Sequence, residues 1–337
     1  MADFDPRLPT NPNPKDGETS IIIYGYVPSL ALALSAAVIF GVLCVAHLLH
    51  ALFARRMADA VLKRRGLPGV ARDEPLTTAS EDGGEVKLSS VGPDVDLGSV
   101  VKGAGIFQYL LAFGCAMEVV GYAFRAQSHS NPFKLISFVL NYFMIVCAPV
   151  FFSAAIYVAL ATIIKMKPEY TRLTPLKPKF LILIFVVMDV ATIATQVAGA
   201  ALFGVAQSDL ADGNEPSVTP QQANNILLAG LAVQNASFLI FLAIYHTFLY
   251  RLFKSRVGGV ARSAGEEVGR DKLLHFAILS SSYLIFLRTL YRLAEAIEGI
   301  FSDISTNEDL FAGLETVPVL LAIAIWVVIP FGWRVLK

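Results

Sequence analysis

The sequence predicts an all-α membrane protein, a bundle of seven transmembrane helices with the amino terminus outside and the carboxyl terminus cytoplasmic. Three observations predict it. Of 337 residues, 55% are hydrophobic and only 16% charged, where a soluble domain carries about 25% charged residues. The apolar residues fall into seven runs, at about 22–52, 105–126, 133–164, 179–205, 223–252, 272–298 and 309–333. Each is long enough to cross the hydrocarbon layer as a helix. The segments between runs alternate in basic content: eight Lys and Arg in 53–104, five in 165–179 and four in 253–271, against none in 127–132, 206–222 and 299–308. An excess of Lys and Arg marks cytoplasmic loops, so the basic segments read as inside and the basic-free ones as outside.

In chain order, residues 1–20 ("MADFDPRLPTNPNPKDGETS") are acidic and proline-rich, and read as a disordered external tail. The run that follows is too long for the apolar core of a signal peptide. Residues 21–337 then form one membrane domain. Its long cytoplasmic loop, 53–104, opens with the basic "ARRMADAVLKRRG", a helix-like extension suited to an anionic inner leaflet. It continues rich in Gly, Ser and acids, which reads as a loosely structured loop open to a cytoplasmic protein partner. "KMKPEYTRLTPLKPK" (165–179) holds three prolines and reads as extended. No internal repeat divides the runs into the inverted halves common in transporters.

Several functions are excluded. With 27 basic and 27 acidic residues the net charge is zero, so no nucleic-acid partner is implied. No phosphate loop, Gly-x-Ser-x-Gly elbow, His-Glu-x-x-His or paired-cysteine motif is present, so an enzyme is not expected. Cys44, Cys115 and Cys147 all fall inside apolar runs and suggest no disulfide framework.

The functional signal is polar residues inside the runs. An ionisable residue mid-membrane costs about 2.5–3.5 kcal/mol, whereas each Leu, Ile or Phe returns about 0.3–0.6. Yet the sixth run contains "FLRTLYRLAEAIEG", with Arg288, Arg292 and Glu295 at i, i+4 and i+7, one stripe of a helix. The second run places Glu118, Tyr122 and Arg125 at the same spacing. The fourth does likewise with Asp189, Thr192, Gln196 and Gly199, the fifth adds Gln234, and the seventh adds Glu315 beside Pro318. Opposed signs predict that Glu118, Asp189 and Glu315 meet Arg288 and Arg292 in the bundle interior. Two readings stand together, a structural ion-pair network and a polar cavity for a ligand. At the opposite depth lie His47, His50, His246 and His275. Interfacial histidine is more often an amphipathic anchor, so no cofactor is expected. A metal or haem on these four is the lesser alternative.

Six stretches in order resemble one family: "YGYVPS" (24–29), "EVVGYAFR" (118–125), "APVFFSAAIYVALATII" (148–164), "DVATIATQVAG" (189–199), "GLAVQNASFLIF" (230–241) and "LRTLYRLAEAIEG" (287–299). Together they resemble the fungal RTA-like proteins, also called the lipid-translocating exporter family. The resemblance implies a seven-helix protein of a fungal plasma or internal membrane, linked to resistance against toxic amphiphiles. It also implies that Glu118, Arg125, Asp189, Gln196, Arg288, Arg292 and Glu295 occupy recurrent polar sites. The expected partners are membrane lipids or lipid-like small molecules such as sphingoid bases, sterol-like compounds or phospholipids. The alternatives are a seven-helix lipid receptor or sensor, and a haem or porphyrin binder. The first cytoplasmic loop is longer than the family pattern, and Ala312, Glu315 and Ile329 stand where its usual Tyr, Asp and His fall.

Overall fold

The computed structural model describes residues 8–64, 97–166, 168–211, 215–257, 265–299 and 302–336. Seven helices among them are long and apolar enough to cross a membrane. They are α1 (Leu30–Arg64), α2 (Leu97–Ser130), α3 (Leu135–Met166), α4 (Pro178–Ala211), α5 (Pro220–Val257), α6 (Gly265–Glu298) and α7 (Glu308–Val328). The protein is therefore an integral membrane helix bundle, as its hydropathy predicts.

The sequence of α3 is apolar all round, the mark of a helix surrounded by others. It is the hub: 83% of its apolar window is buried, against 28% for α1 and α4. Close approach of its neighbours depends on missing side chains. A Cβ at Gly121 on α2 would lie 2.8 Å from the Ile145 side chain on α3. One at Gly199 on α4 would lie 2.5 Å from the backbone nitrogen of Leu227 on α5.

Several boundaries differ from the sequence reading, each for a local reason. The first run begins near 22, but α1 starts at Leu30 because Gly25 takes a positive φ of 70° and Pro28 follows it. At the other end α1 continues through Arg64 and α2 is already helical at Leu97. What remains of the loop 53–104 is 65–96, which lies outside the described residues. Residues 168–173 of the supposedly extended linker form a short helix, Pro168–Leu173. Proline at a first helical position forfeits no intrahelical bond.

Residues 8–20, read as part of a disordered tail, instead form a strap over the turn between α2 and α3. Glu18 bridges to Lys134 and accepts from Asn131 Nδ2 at 2.9 Å, while the Thr19 amide donates to the Phe133 carbonyl at 2.9 Å. At the opposite end of the bundle Pro330 stops α7, and the short helix Phe331–Leu336 folds back. Phe331 packs 4.7 Å from Phe107, and Gly332 sits against Ala54. The amino- and carboxyl-terminal segments therefore lie at opposite ends of the bundle.

Two measurements test this packing. Gly121→Leu should lower stability by about 1–3 kcal/mol through overpacking, while Gly105→Ala, where nothing lies within 4 Å, should be tolerated. Thermal unfolding in detergent reads both. For the strap, hydrogen bonds from Asn131 and the Lys15 backbone N–H hold the Glu18 carboxyl below the ordinary glutamate range. A depressed folded-state pKa contributes stability at neutral pH that is lost as pH falls through it. Amide protection in residues 8–20, taken against the intrinsic exchange rate at each pH, should accordingly fall on acidification, and Glu18→Gln should lower it at neutral pH.

Candidate functional site: a buried ladder of charges

The site runs from the strap-bearing end of the bundle toward its middle. At the top, Asn307 caps α7 by accepting from the amides of Asp309 and Leu310. This presents Glu308, whose Oε1 accepts from Arg125 Nη2 at 2.7 Å and from the Ser29 amide at 2.9 Å. The same Arg125 Nη2 donates to Tyr26 Oη at 2.7 Å, and the guanidinium lies 4.2 Å from the Phe311 ring. The lead-in to α1 is thereby tied to α2 and α7.

Below this level Arg292 Nη1 donates to Glu295 Oε2 at 2.6 Å, one turn along α6. Its guanidinium lies 4.8 Å from the ring of Tyr142 on α3. Deeper still, Arg288 donates to Glu315 Oε1 from Nε at 2.9 Å and from Nη2 at 2.5 Å. Nη2 also reaches the Ile145 carbonyl at 3.1 Å. Pro149 explains why that carbonyl is available: with no N–H, it cannot supply the i→i−4 bond that Ile145 would otherwise accept. Glu315 sits in a π-turn, Ala312–Thr316, closed by a bond from the Val317 amide to the Ala312 carbonyl. Such insertions re-aim side chains and recur at functional sites. Pro318 sits one residue beyond that bond, with no N–H of its own to donate. Tyr122 Oη and Thr316 Oγ1 share a hydrogen bond of 2.6 Å that joins α2 to the same turn.

The charges do not cancel. Arg125, Arg292 and Arg288 each have a carboxylate, in Glu308, Glu295 and Glu315 respectively. Glu118 is 2% exposed and lies in the field of Glu315, Arg288 and Arg292. No side chain among the described residues forms a hydrogen bond or ion pair with it. Glu315 Oε2 also lacks a hydrogen bond, with Arg292 Nε 3.8 Å away. Glu118 lies seven residues inward of Arg125, and Glu315 seven inward of Glu308. Two helical turns make that about 10 Å.

The expected residues therefore divide. Glu118, Tyr122, Arg125, Arg288, Arg292, Glu295 and Glu315 converge on α2, α6 and α7. Asp189 does not join the arginines. It is buried against Tyr157 on α3, whose Oη donates at 3.1 Å. Gln196 on α4 and Gln234 on α5 pair at 2.7 Å. The same stripe meets α5 further along, where Gly199 sits against Leu227 and Gly230 against Gln196. The histidines serve local roles. His47 Nδ1 pairs with Gln108 Oε1 at 2.8 Å, and the His50 ring lies 6.2 Å from that of His47. His246 bonds its own helix at the Leu242 carbonyl and Tyr283 Oη, and His275 Nδ1 pairs with Tyr245 Oη at 2.9 Å. Among the described residues no three His, Cys, Asp or Glu side chains form a group able to hold a metal.

Sequence reasoning missed Glu308, Tyr26, Tyr142, Thr316 and the Ile145 carbonyl. A proline four residues beyond a buried carbonyl was the available signal for the last. Glu308 was hidden because it falls at the edge of a polar loop rather than inside an apolar run.

A seven-helix bundle with a ladder of buried charges reaching from one end to its middle defines a polytopic membrane protein with an intramembrane polar site. The chain belongs to the RTA1-like family: the family described as RTA1 like protein matches residues 111–337. It is 29% identical over 245 residues to sphingoid long-chain base transporter RSB1 of Saccharomyces cerevisiae, covering 64% of this chain and 62% of the transporter. It is 26% identical to protein RTM1 of the same organism over 91% of this chain and 90% of that one. It is also 26% identical to the yeast protoporphyrin uptake protein 1, over 91% of each. No solved structure matches.

The ladder makes a contrasting prediction. Glu315→Gln removes the counter-charge of a buried arginine and should cost about 3–5 kcal/mol. Glu118→Gln replaces a buried carboxyl that no side chain among the described residues pairs with, and should leave stability unchanged or raised. Unfolding in detergent compares the two.

Proposed function

We propose that the protein binds a cationic single-chain amphiphile of the sphingoid long-chain base kind and moves it across the membrane. The observation that carries this reading is Glu118, the one carboxyl of the ladder that forms no ion pair or hydrogen bond with another described side chain. An ammonium head group is the complement that such a buried acid lacks, and a charge-assisted hydrogen bond would hold it. The similarity to transporters of sphingoid long-chain bases supports the same class, although the chain spans only 62% of their length. A second reading, a porphyrin-like anion, is favoured by the similarity to the protoporphyrin uptake protein over 91% of the chain. Charge balance favours the cation, because an anion would have to displace a carboxylate from an arginine that already has one.

In this reading the basic-free end, where the strap and Glu308 lie, faces outside, by the positive-inside rule. The ladder then opens to the outer half of a plasma membrane, and removal of the amphiphile contributes to resistance against it. A receptor role would rest on the loop 53–104, whose middle lies outside the described residues.

The test is flux of labelled sphingoid base across proteoliposomes. The parent should exceed empty vesicles, and Glu118→Gln should slow it by about tenfold or more, the worth of one charge-assisted bond. Flux no faster than in empty vesicles would overturn the proposal, as would a Glu118→Gln variant as fast as the parent. Protoporphyrin moved in place of the base would favour the second reading.

A further inference from the structure

Toward the opposite end of the bundle the ladder gives way to an apolar seam. Leu111, Phe152, Ser281, Ala322, Ile323 and Trp326 are among the side chains that line it. Their register ties the seam to the charges. Leu111 lies seven residues from Glu118 on α2, Ser281 seven from Arg288 on α6, and Ala322 seven from Glu315 on α7. Phe152 lies seven from Ile145, the residue on α3 whose carbonyl Arg288 engages. All four steps run inward from the strap-bearing end. Seven residues return close to the same helix face and advance about 10 Å. The seam is therefore the same four-helix interface continued by two turns, with its polarity reversed.

Its small residues keep it open to change. Ala322 carries only a methyl group, and the Ser281 hydroxyl is turned to the Ala322 carbonyl at 2.8 Å. Trp326, 1% exposed, forms one wall, and its indole Nε1 is buried without a hydrogen-bond partner. The protein's own atoms thus leave this wall without a polar partner for the indole. The seam is too narrow for a water molecule as it stands, so an occupant enters by parting side chains, and only an apolar one suits the walls.

We propose that this seam is the chain subsite of the transporter: it holds the hydrocarbon tail of the single-chain amphiphile whose head group meets Glu118. The inference rests on the function proposed above, and adds to it where the chain lies and which residues set its length. A head group at the carboxylate level and a tail against Trp326 place the ligand along the bundle axis, inside the protein rather than on its lipid-facing surface.

Tryptophan fluorescence tests this directly. The protein has two tryptophans, Trp326 and the half-exposed Trp333, so Trp333→Phe leaves Trp326 as the sole indole reporter. In nanodiscs, a long-chain amine brominated mid-chain should quench Trp326 saturably. The same amine brominated beside its head group should quench far less, and excess unbrominated base should reverse the loss. Ala322→Leu, which fills the seam, should abolish the quenching while a short-chain amine still binds. The bromine series needs no packing variant, so it decides even where Ala322→Leu does not fold. Labelled base that binds in a Glu118-dependent way, with quenching indifferent to bromine position, would overturn the seam and leave the head-group reading intact. No binding of base to the parent protein would overturn both.

Discussion

A guanidinium cannot be left alone in hydrocarbon, and the bundle is arranged around that constraint at Arg288. Its five N–H donors must find acceptors, and α6 does not offer them. Glu315 on α7 supplies one oxygen to two of them, and Ile145 on α3 supplies a backbone carbonyl. Two departures from regular helix make this possible. Pro149 removes the donor that would otherwise occupy the carbonyl, and the π-turn at Ala312–Thr316 carries Glu315. Each departure would weaken a helix in isolation. Together they convert lost helical bonds into charge-assisted ones that join three helices, and Tyr122 adds a fourth element through Thr316.

The strap follows the same logic at the end of the ladder. Arg125 is buried to 1% but lies within two turns of the end of α2. Its partners come from outside the regular helices: Tyr26 from the segment before α1 and Glu308 from the first residue of α7. Glu308 also receives the Ser29 amide. Residues before α1 are thereby held against the bundle. The family match begins at residue 111, yet the ladder is closed at its top by residues 26 and 29. The amino-terminal region is part of the site's construction, not an appendage to it.

The fold was legible in the sequence because hydrocarbon thickness and backbone hydrogen bonding leave few options to a chain with seven apolar runs. The charged stripes were legible because i, i+4, i+7 spacing fixes a face. Which stripes meet was only half legible. Glu315 met both arginines as its sign predicted, but Asp189 turned to Tyr157, because helix order around α3 is set by steric details such as Gly199 against Leu227. Spacing says nothing of which neighbour a face will find. Boundaries were obscured where a helix begins ahead of its apolar run, as at Leu97 on α2. They were also obscured where an apolar stretch is not helical, as at 22–29. Glu308 escaped notice because a residue at a helix terminus has no periodicity to announce it.

Once the arginines are satisfied, Glu118 has no structural duty that the ladder requires. Arg288 is served by Glu315 and Ile145, and Arg292 by Glu295. A fourth carboxylate at the same depth adds repulsion toward Glu315 and a desolvation cost without a compensating bond. A glutamine of the same shape would hold the helices at least as well. Buried polar groups that strain a structure in this way gather where a ligand completes them. The seam two turns below lies on those same helices, where small side chains face a buried indole nitrogen that has no hydrogen bond. A buried carboxyl without a partner side chain, followed by a narrow apolar seam, has the polarity of an amphiphile with a cationic head, and the two lie in line along one helix interface. Neither feature alone points to a ligand, and the proposal rests on their shared register on α2, α3, α6 and α7.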